Sequence, residues 1–236
     1  MSIQENMARI RAEMEAAALA AGRDPKSILL CAATKMNDAA AVREAIAAGV
    51  DCCGENKVQE LTAKLAENAY EGAPVHFIGH LQTNKVKFVV GKVALIQSVD
   101  SRRLLTAIDK EAKKQGIVQD ILLEVNVGAE ESKGGFAPEE IPALVEKLDE
   151  FPNIRVKGLM AIPPISQKNG DNLKYFQKMC NISVDIIEKK EDNGIAEYLS
   201  MGMSGDFADA IACGSTMIRV GTAIFGQRNY SNLHQS

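Results

Sequence analysis

The sequence predicts a single (β/α)8 barrel, or TIM barrel, with one extra helix at its N-terminus. Short apolar stretches alternate with stretches of helical periodicity along the whole chain, and eight apolar stretches can be counted in 236 residues. Several of them, such as VALIQSV and ILLEVNV, are apolar at nearly every position, as expected for parallel strands covered on both faces. An open doubly wound sheet is the main alternative, and no GxGxxG motif follows the first strand to support it.

The first 22 residues predict an amphipathic helix, which Gly22 ends. The apolar residues that recur on one face are Ile3, Met7, Ile10, Met14 and Ala17. Charged residues occur throughout this segment, which argues against a secretory signal, and its glutamates disfavour a mitochondrial presequence. We expect the helix either to cap the bottom of the barrel or to form a dimer contact.

The barrel is predicted over residues 28–226 and is followed by a tail over residues 227–236. Its strands are predicted at Ile28–Thr34, Val50–Gly54, Val75–Gly79, Val93–Val99, Ile121–Val127, Ile154–Met160, Tyr198–Met201 and Met217–Val220. Helices are predicted at Ala39–Ala48, Asn56–Glu67, Arg102–Gln115, Glu139–Leu148, Leu173–Lys189 and Phe207–Ala212, with a further helix start at Ala223–Phe225. No linker rich in Gly, Pro or Ser divides the chain, so we expect one domain over residues 1–236.

The composition argues against several classes of protein. The net charge is −4 and no basic stripe occurs, so we do not expect nucleic-acid binding. No apolar window is long enough to span a membrane. The five cysteines are odd in number, include an adjacent pair and have no regular spacing, which argues against a disulfide framework. They form no CxxC pair, which argues against zinc, and we predict no metal site. We interpret Cys52 and Cys53 as strand residues and His76 as a core residue of a reduced, cytoplasmic protein.

Lys35 is the first candidate for chemistry, because it directly follows the first predicted strand. Active sites of such barrels lie at the carboxyl ends of the strands. Partial burial at this position favours an uncharged amine, which is a nucleophile toward carbonyl groups. The alternative interpretation is a structural ion pair between Lys35 and Glu55, which ends the next strand.

The ends of strands seven and eight predict a phosphate site. Gly202 and Gly221 allow a backbone to approach a ligand, while Ser200 and Thr222 supply hydroxyl groups. Loops at this place bind phosphate in many such barrels, although the glycines also suit plain tight turns. A lysine that forms a Schiff base on one side of the mouth and a phosphate site on the other suit pyridoxal 5′-phosphate (PLP). Arg219 would face the pyridine nitrogen and keep it unprotonated, because a guanidinium only donates hydrogen bonds.

Seven motifs in order carry a resemblance to a known family. They are AATK ending at Lys35, GENKVQE at Gly54–Glu60, HFIGHLQTNK at His76–Lys85, VNVGAEESKGGF at Val125–Phe136, KGLMAIP at Lys157–Pro163, LSMGMSGD at Leu199–Asp206 and GSTMIRVGTAIFG at Gly214–Gly226. The chain resembles the YggS/PROSC family of pyridoxal phosphate homeostasis proteins. The resemblance extends from about Ile28 to Tyr230 and implies a barrel similar to the N-terminal domain of alanine racemase.

The resemblance also implies a cofactor site. PLP would be held as a Schiff base on Lys35, with Asn56 nearby, phosphate contacts from Ser200 and the Arg219–Thr222 turn, and Arg219 at the pyridine nitrogen. The full set of cofactor residues predicted on this basis is Lys35, Asn56, Ser200, Met201, Gly202, Arg219, Gly221 and Thr222. Two positions depart from the expected pattern: Lys57 stands where many members have an aromatic residue, and the Ser204–Asp206 segment varies an acidic pair.

The function expected from this resemblance is PLP homeostasis. The protein would carry or buffer PLP, deliver it to PLP-dependent apo-enzymes and affect amino-acid and keto-acid balance, without an established catalytic reaction. A weak amino-acid racemase is the alternative, and an aldolase-like barrel without PLP is a third hypothesis. A racemase needs proton donors on both faces of its substrate, and Lys35 supplies only one. We expect a monomer or a weak dimer.

Overall fold

The computed structural model is a closed barrel of eight parallel strands, in which each strand pairs with the next and the last pairs with the first. It describes residues 1–130, 133–165, 168, 170–189 and 197–226, with side chains of the long helix up to residue 186. The predicted fold class is confirmed. The predicted tail at residues 227–236 lies outside the described residues, and the extent of the domain stays a prediction.

The strands match the predicted ones, with ends that differ by a few residues. They are β1 (Leu29–Ala33), β2 (Cys52–Glu55), β3 (Val75–Phe77), β4 (Leu95–Val99), β5 (Gln119–Glu124), β6 (Ile154–Met160), β7 (Tyr198–Ser200) and β8 (Met217–Val220). The largest difference is in β5, which begins at Gln119 because that residue pairs with Ile154 of β6. It ends at Glu124, and Val125, whose N–H still donates to the Met160 carbonyl oxygen, forms an isolated bridge with Phe136 in the following loop.

The helices form an outer layer around the barrel. They are α1 (Ile3–Ala20), α2 (Ala39–Ala47), α3 (Val58–Ala66), α4 (Arg102–Gln115), α5 (Ile141–Val145), α6 (Leu173–Lys189), α7 (Phe207–Ala212) and α8 (Thr222–Phe225). The connection between β3 and β4 is a 3-10 helix at Thr83–Phe88, which the sequence analysis did not assign. The helix predicted at Glu139–Leu148 is broken into α5 and two flanking 3-10 turns. Pro142 has no N–H group, so it is tolerated in the first turn of α5 but not inside a continuous helix that starts at Glu139.

Side chains alternate between the barrel interior and the helical layer along each strand. In β8, Ile218 packs outward in a cluster with α1, whereas Met217 belongs to an interior cluster. The interior cluster is small and apolar, and its buried members are Cys31, Cys52, Ile78, Leu95, Leu122, Met160 and Met217. Polar side chains that point into the barrel are therefore surrounded mainly by apolar side chains.

Helix α1 completes the helical layer where β8 meets β1. Helix α8 has only four residues, and α1 packs against both α7 and α8. Its buried face, which includes Met7 and Ile10, shares a cluster with Ile218 and Ile224. The buried Asn6 amide also donates a hydrogen bond of 2.9 Å to the Ile224 carbonyl oxygen. The predicted helix thus lies on the outer wall and supports the turn that follows β8.

Within the described residues, no helix has both the length and the apolar character needed to cross a membrane.

Candidate functional site

Lys35 lies in the turn that follows β1, at the carboxyl end of the barrel, and is partly buried. Strands β1 and β8 are paired, with Ala32 opposite Val220. A Cβ atom added to Gly221 would lie 3.3 Å from both the Cβ and the carbonyl oxygen of Ala33. Lys35 and the turn after β8 therefore lie at neighbouring strand ends, whereas the sequence analysis expected them on opposite sides of the mouth.

A buried ion pair holds the residue that precedes Lys35. The Lys64 Nζ atom on α3 lies 2.5 Å from Glu55 Oε1, and the side chains are 8% and 0% exposed. The same ammonium donates a hydrogen bond of 2.7 Å to the Thr34 carbonyl oxygen, and the Thr34 hydroxyl also donates to Glu55. The ion pair considered for Lys35 and Glu55 is thus made by Lys64, which fixes the backbone at the end of β1.

Arg219 is the only arginine among the described residues whose side chain is buried, and it lies inside the barrel. Its guanidinium donates hydrogen bonds to Ser200 Oγ at 2.6 Å and to the Ala161 carbonyl oxygen at 2.8 Å. Burial lowers the pKa of Arg219 from its ordinary value, while nearby Cys31 and Glu124 oppose that shift. The ordinary value is so high that the group keeps its charge, so the site has a fixed buried cation.

A chain of hydrogen bonds extends from Arg219 across the barrel interior. Ser200 Oγ accepts from Arg219 and donates to Gln97 Oε1 at 2.7 Å. The Gln97 amide nitrogen lies 2.9 Å from His76 Nδ1. All of these side chains are buried, so each restricts the orientation of the next. The Ser200 hydroxyl therefore positions Arg219, and its predicted contact with a phosphate group stays a prediction.

The other predicted residues near β7 are placed differently. Met201 is buried and packs in the main cluster between the barrel and the helices, so its side chain points away from the mouth. Gly202 has φ = +93°, and an added Cβ would lie 2.6 Å from the Ala210 Cβ. Gly202 therefore allows α7 to pack closely against the end of β7. Cofactor contacts of these two residues stay predictions, and the side-chain geometry does not favour one for Met201.

The turn after β8 leads directly into α8. Gly221 is partly buried and precedes Thr222, an exposed residue that is the first of the helix. The first backbone N–H groups of a helix lack the usual helical partners and can bind an anion, although here that of Ala223 lies 3.4 Å from Ser204 Oγ and that of Ile224 donates to the Gly221 carbonyl oxygen. The structure thus brings four of the predicted residues, Lys35, Arg219, Gly221 and Thr222, to the ends of the paired strands β1 and β8.

Comparison with known proteins identifies the family. The model of the alanine racemase N-terminal domain matches residues 2–229. The pyridoxal phosphate homeostasis protein of Aquifex aeolicus is 42% identical over 230 residues, which cover 98% of this chain and 100% of that protein. The protein of the same name from Pseudomonas aeruginosa is 40% identical, with 97% of each chain covered.

The chain belongs to the pyridoxal phosphate homeostasis protein family.

Solved structures related to this pyridoxal phosphate homeostasis family member agree with the fold. An unknown protein from Bifidobacterium adolescentis has a TM-score of 0.88 at 38% identity, with 94% of each chain covered. PipY of Synechococcus elongatus, in a structure with PLP bound, has a TM-score of 0.82 at 32% identity, and the match covers 95% of this chain and all of PipY. The resemblance stated from the motifs is confirmed.

In this family member, two site residues could not be recognised from the sequence. Lys64 lies on a helix that was predicted without a functional role, and only the fold brings it beneath Thr34. Glu124 lies inside the apolar stretch ILLEVNV and ends β5. Burial and the nearby Asp100 carboxylate raise the pKa of Glu124, whereas Arg219 and His80 oppose the shift. The alternation of inward and outward residues in β5 was the only signal available for Glu124.

Lys57, noted in the sequence, and His80, within the motif at His76–Lys85, lie at the edge of this site. Lys57 is exposed and directly precedes α3, so it adds a positive charge to the surface without a capping bond from its side chain. His80 is largely exposed and lies 3.2 Å from an Asp100 carboxylate oxygen. Both lie near the mouth, and neither belongs to the buried set around Arg219.

Gly79→Ala tests how closely the ends of β2 and β3 must approach. An added Cβ at Gly79 would lie 2.6 Å from the Asn56 Cα atom and closer still to the Asn56 carbonyl oxygen. Because backbone atoms must move, we expect the free energy of unfolding to fall by about 2–3 kcal/mol in urea titrations. Gly205→Ala is the matched control, since no atom lies within 4 Å of its added Cβ. Equal stability of the two variants would contradict the close approach.

Proposed function

We propose that this chain binds PLP covalently at Lys35 and carries or buffers that cofactor in the cytoplasm. The observation that carries the proposal is the β1–β8 pairing, which brings Lys35 next to the Gly221–Thr222 turn. An amine and backbone donors for an anion then lie side by side. Relatives that match the whole chain are named pyridoxal phosphate homeostasis proteins, and PipY has been solved with PLP bound.

The residues present fit this cofactor. Asn56 Oδ1 is buried and accepts no hydrogen bond from any described residue. A buried acceptor of this kind calls for a partner, which a bound ligand or water supplies. Gly221 leaves space that a Cβ would fill beside Ala33. Lys35, Asn56 and the turn after β8 would hold the cofactor, and Arg219 would face the pyridine nitrogen.

Arg219 favours storage of the cofactor over catalysis. Bound PLP supplies an aldehyde that bonds to amines and a ring that withdraws electrons from the bonded carbon. The ring withdraws less strongly when its nitrogen is unprotonated, and a guanidinium offers only donors to that nitrogen. Ser200 and Ala161 hold the Arg219 guanidinium in place, so it cannot turn away easily. The weak racemase is therefore the less favoured hypothesis.

The position of Glu124 gives the racemase hypothesis its sharpest test. Glu124 is an inward carboxyl group of β5 near Arg219, and burial raises its pKa, which favours the protonated form. Incubation with single amino acids in deuterium oxide would reveal exchange of the α-hydrogen. We expect no exchange beyond that of free PLP, and exchange with turnover that Glu124→Gln abolishes would contradict the carrier function.

Labelling of the wild-type protein tests the covalent site. The protein is loaded with PLP, reduced with borohydride, digested and mapped by mass spectrometry. We expect a single modified lysine, Lys35, and modification of the exposed Lys57 instead would contradict the proposal.

For the carrier role, a PLP-dependent apo-enzyme is mixed with the loaded protein in the presence of a trap for free PLP. Activation of the apo-enzyme that is faster than release of PLP into the trap supports delivery. The oligomeric state that we propose is a monomer or a weak dimer.

A further inference from the structure

Three metal-binding side chains meet in the barrel interior, apart from Lys35. Cys31 on β1, Cys52 on β2 and His76 on β3 bring their donor atoms within 4.8 Å of one another, and all three are buried. The β1–β2 register places Cys31 directly opposite Cys52. We propose that these residues bind a single soft monovalent metal ion of the Cu(I) type. The expectation of no metal site, which relied on the absence of CxxC, overlooked donors that come from three strands.

The spacing of the donors is close to what an ion needs. Metal–sulfur bonds of about 2.3 Å and metal–nitrogen bonds of about 2.0–2.1 Å place the donors around an ion about 3.5–4 Å apart. Cys52 Sγ already lies 3.5 Å from His76 Nδ1. Adjacent paired strands hold the three residues, so only small side-chain rotations are needed to close the remaining distance.

The surroundings of the cluster select the kind of ion. The side chains packed around it are Ile78, Leu95, Leu122, Met160 and Met217. Structural zinc is almost always bound by four ligands, whereas only three histidine, cysteine or carboxylate donors converge in the described part of this interior. Thiolate and thioether groups favour Cu(I), and the Met217 sulfur lies in the same interior space.

The charges of the interior also suit this ion. A monovalent ion with two thiolates and a neutral imidazole has a net charge of −1, and Cys31 pairs across the β1–β8 ladder with the cationic Arg219. Binding of the ion displaces the thiol protons of Cys31 and Cys52.

Partly buried side chains pack against the cluster at both ends of the barrel, with Ala33 at the end where Lys35 lies. Leu29 and Tyr198 are the first residues of β1 and β7, pack against the cluster and are partly buried. Coordination through His76 Nδ1 would replace its hydrogen bond with Gln97. Gln97 also accepts a hydrogen bond from Ser200, which in turn accepts one from Arg219. A bound ion would therefore alter the hydrogen bonds that position Arg219.

Cu(I) affinity, measured anaerobically against a chromophoric chelator, tests the proposal. The background is Cys180→Ser/Cys213→Ser, which removes the two partly exposed thiols. We expect one ion per chain and a loss of about 100-fold or more in affinity in Cys52→Ala. Cys53→Ala is the matched control, because Cys53 is the next residue of β2, is equally buried and packs in the main cluster between the barrel and the helices. It should leave the affinity unchanged.

X-ray absorption at the copper edge tests the proposal in the wild-type protein, without a substitution in the Cys31, Cys52 and His76 cluster. We expect two sulfur donors and one nitrogen donor in the wild-type protein. Equal affinity losses in Cys52→Ala and Cys53→Ala, tighter binding of Zn(II) than of Cu(I), or a shell without nitrogen would each overturn the proposal. The readouts do not involve PLP, so their failure is separate from a failure of the carrier function.

Discussion

Lys35→Ala yields a folded protein that forms no reducible adduct with PLP. Lys35 lies in a turn and is only partly buried, so its loss removes little packing. The end of β1 is held instead by Lys64, which bonds to the Thr34 carbonyl oxygen, and by Glu55. Arg219 and the turn after β8 remain, so we expect PLP to bind weakly and without a covalent bond.

Intact mass after borohydride reduction measures this result directly. The wild-type protein should gain the mass of one reduced cofactor, and Lys35→Ala should gain none. Lys57→Ala is the control, because Lys57 is exposed and follows β2 near the same mouth. It should keep the full adduct. A full adduct in Lys35→Ala would contradict the site, and a thermal melt close to that of the wild type would show that the variant is folded.

Lys64→Met should lower the free energy of unfolding by about 3–5 kcal/mol, the cost of leaving a buried charge without its partner. Glu55 is completely buried, and its Oε1 atom lies 2.5 Å from the Lys64 ammonium. Methionine fills a similar volume but provides no charge and no donor for the Thr34 carbonyl oxygen. The free energy of unfolding from urea titrations measures the effect.

A double variant separates the lost charge from lost packing. Glu55→Gln/Lys64→Met removes both charges, so we expect it to be more stable than Lys64→Met alone. The surface pair Arg9 and Glu13 provides a comparison, since Arg9→Met removes an exposed partner and should cost less than about 1 kcal/mol. A similarly small loss in Lys64→Met would show that the buried pair contributes little. Slower adduct formation in Lys64→Met would link the pair to the position of Lys35.

The barrel was predictable because its strands are continuous apolar stretches, and Lys35 because it interrupts that pattern at a strand end. Gln97 and Glu124 lie inside such stretches, so their chemistry became visible only when the strands showed which side chains point inward. Lys64 was hidden for another reason, because its partner Glu55 belongs to a different element. Pairings of this kind depend on how helices pack against strands, which periodicity does not encode.

The Cys31, Cys52 and His76 cluster shows the same limit over longer separations. About twenty residues separate its successive members, and no local spacing rule connects them. The parallel register of β1, β2 and β3 brings them together. By contrast, the turn after β8 could be predicted, because its Gly and Thr residues are adjacent in the sequence and lie where such barrels bind anions.

The bond between Asn6 and Ile224 joins residues that are 218 positions apart, and β1 likewise finds its last partner only in β8. During translation, a nascent chain that already contains Lys35 has no strand with which to close the ring until β8 leaves the ribosome. Contacts over such separations form late and slowly. Cofactor capture would therefore follow synthesis, and prematurely terminated chains would expose an unpaired β1 edge for quality control to recognise.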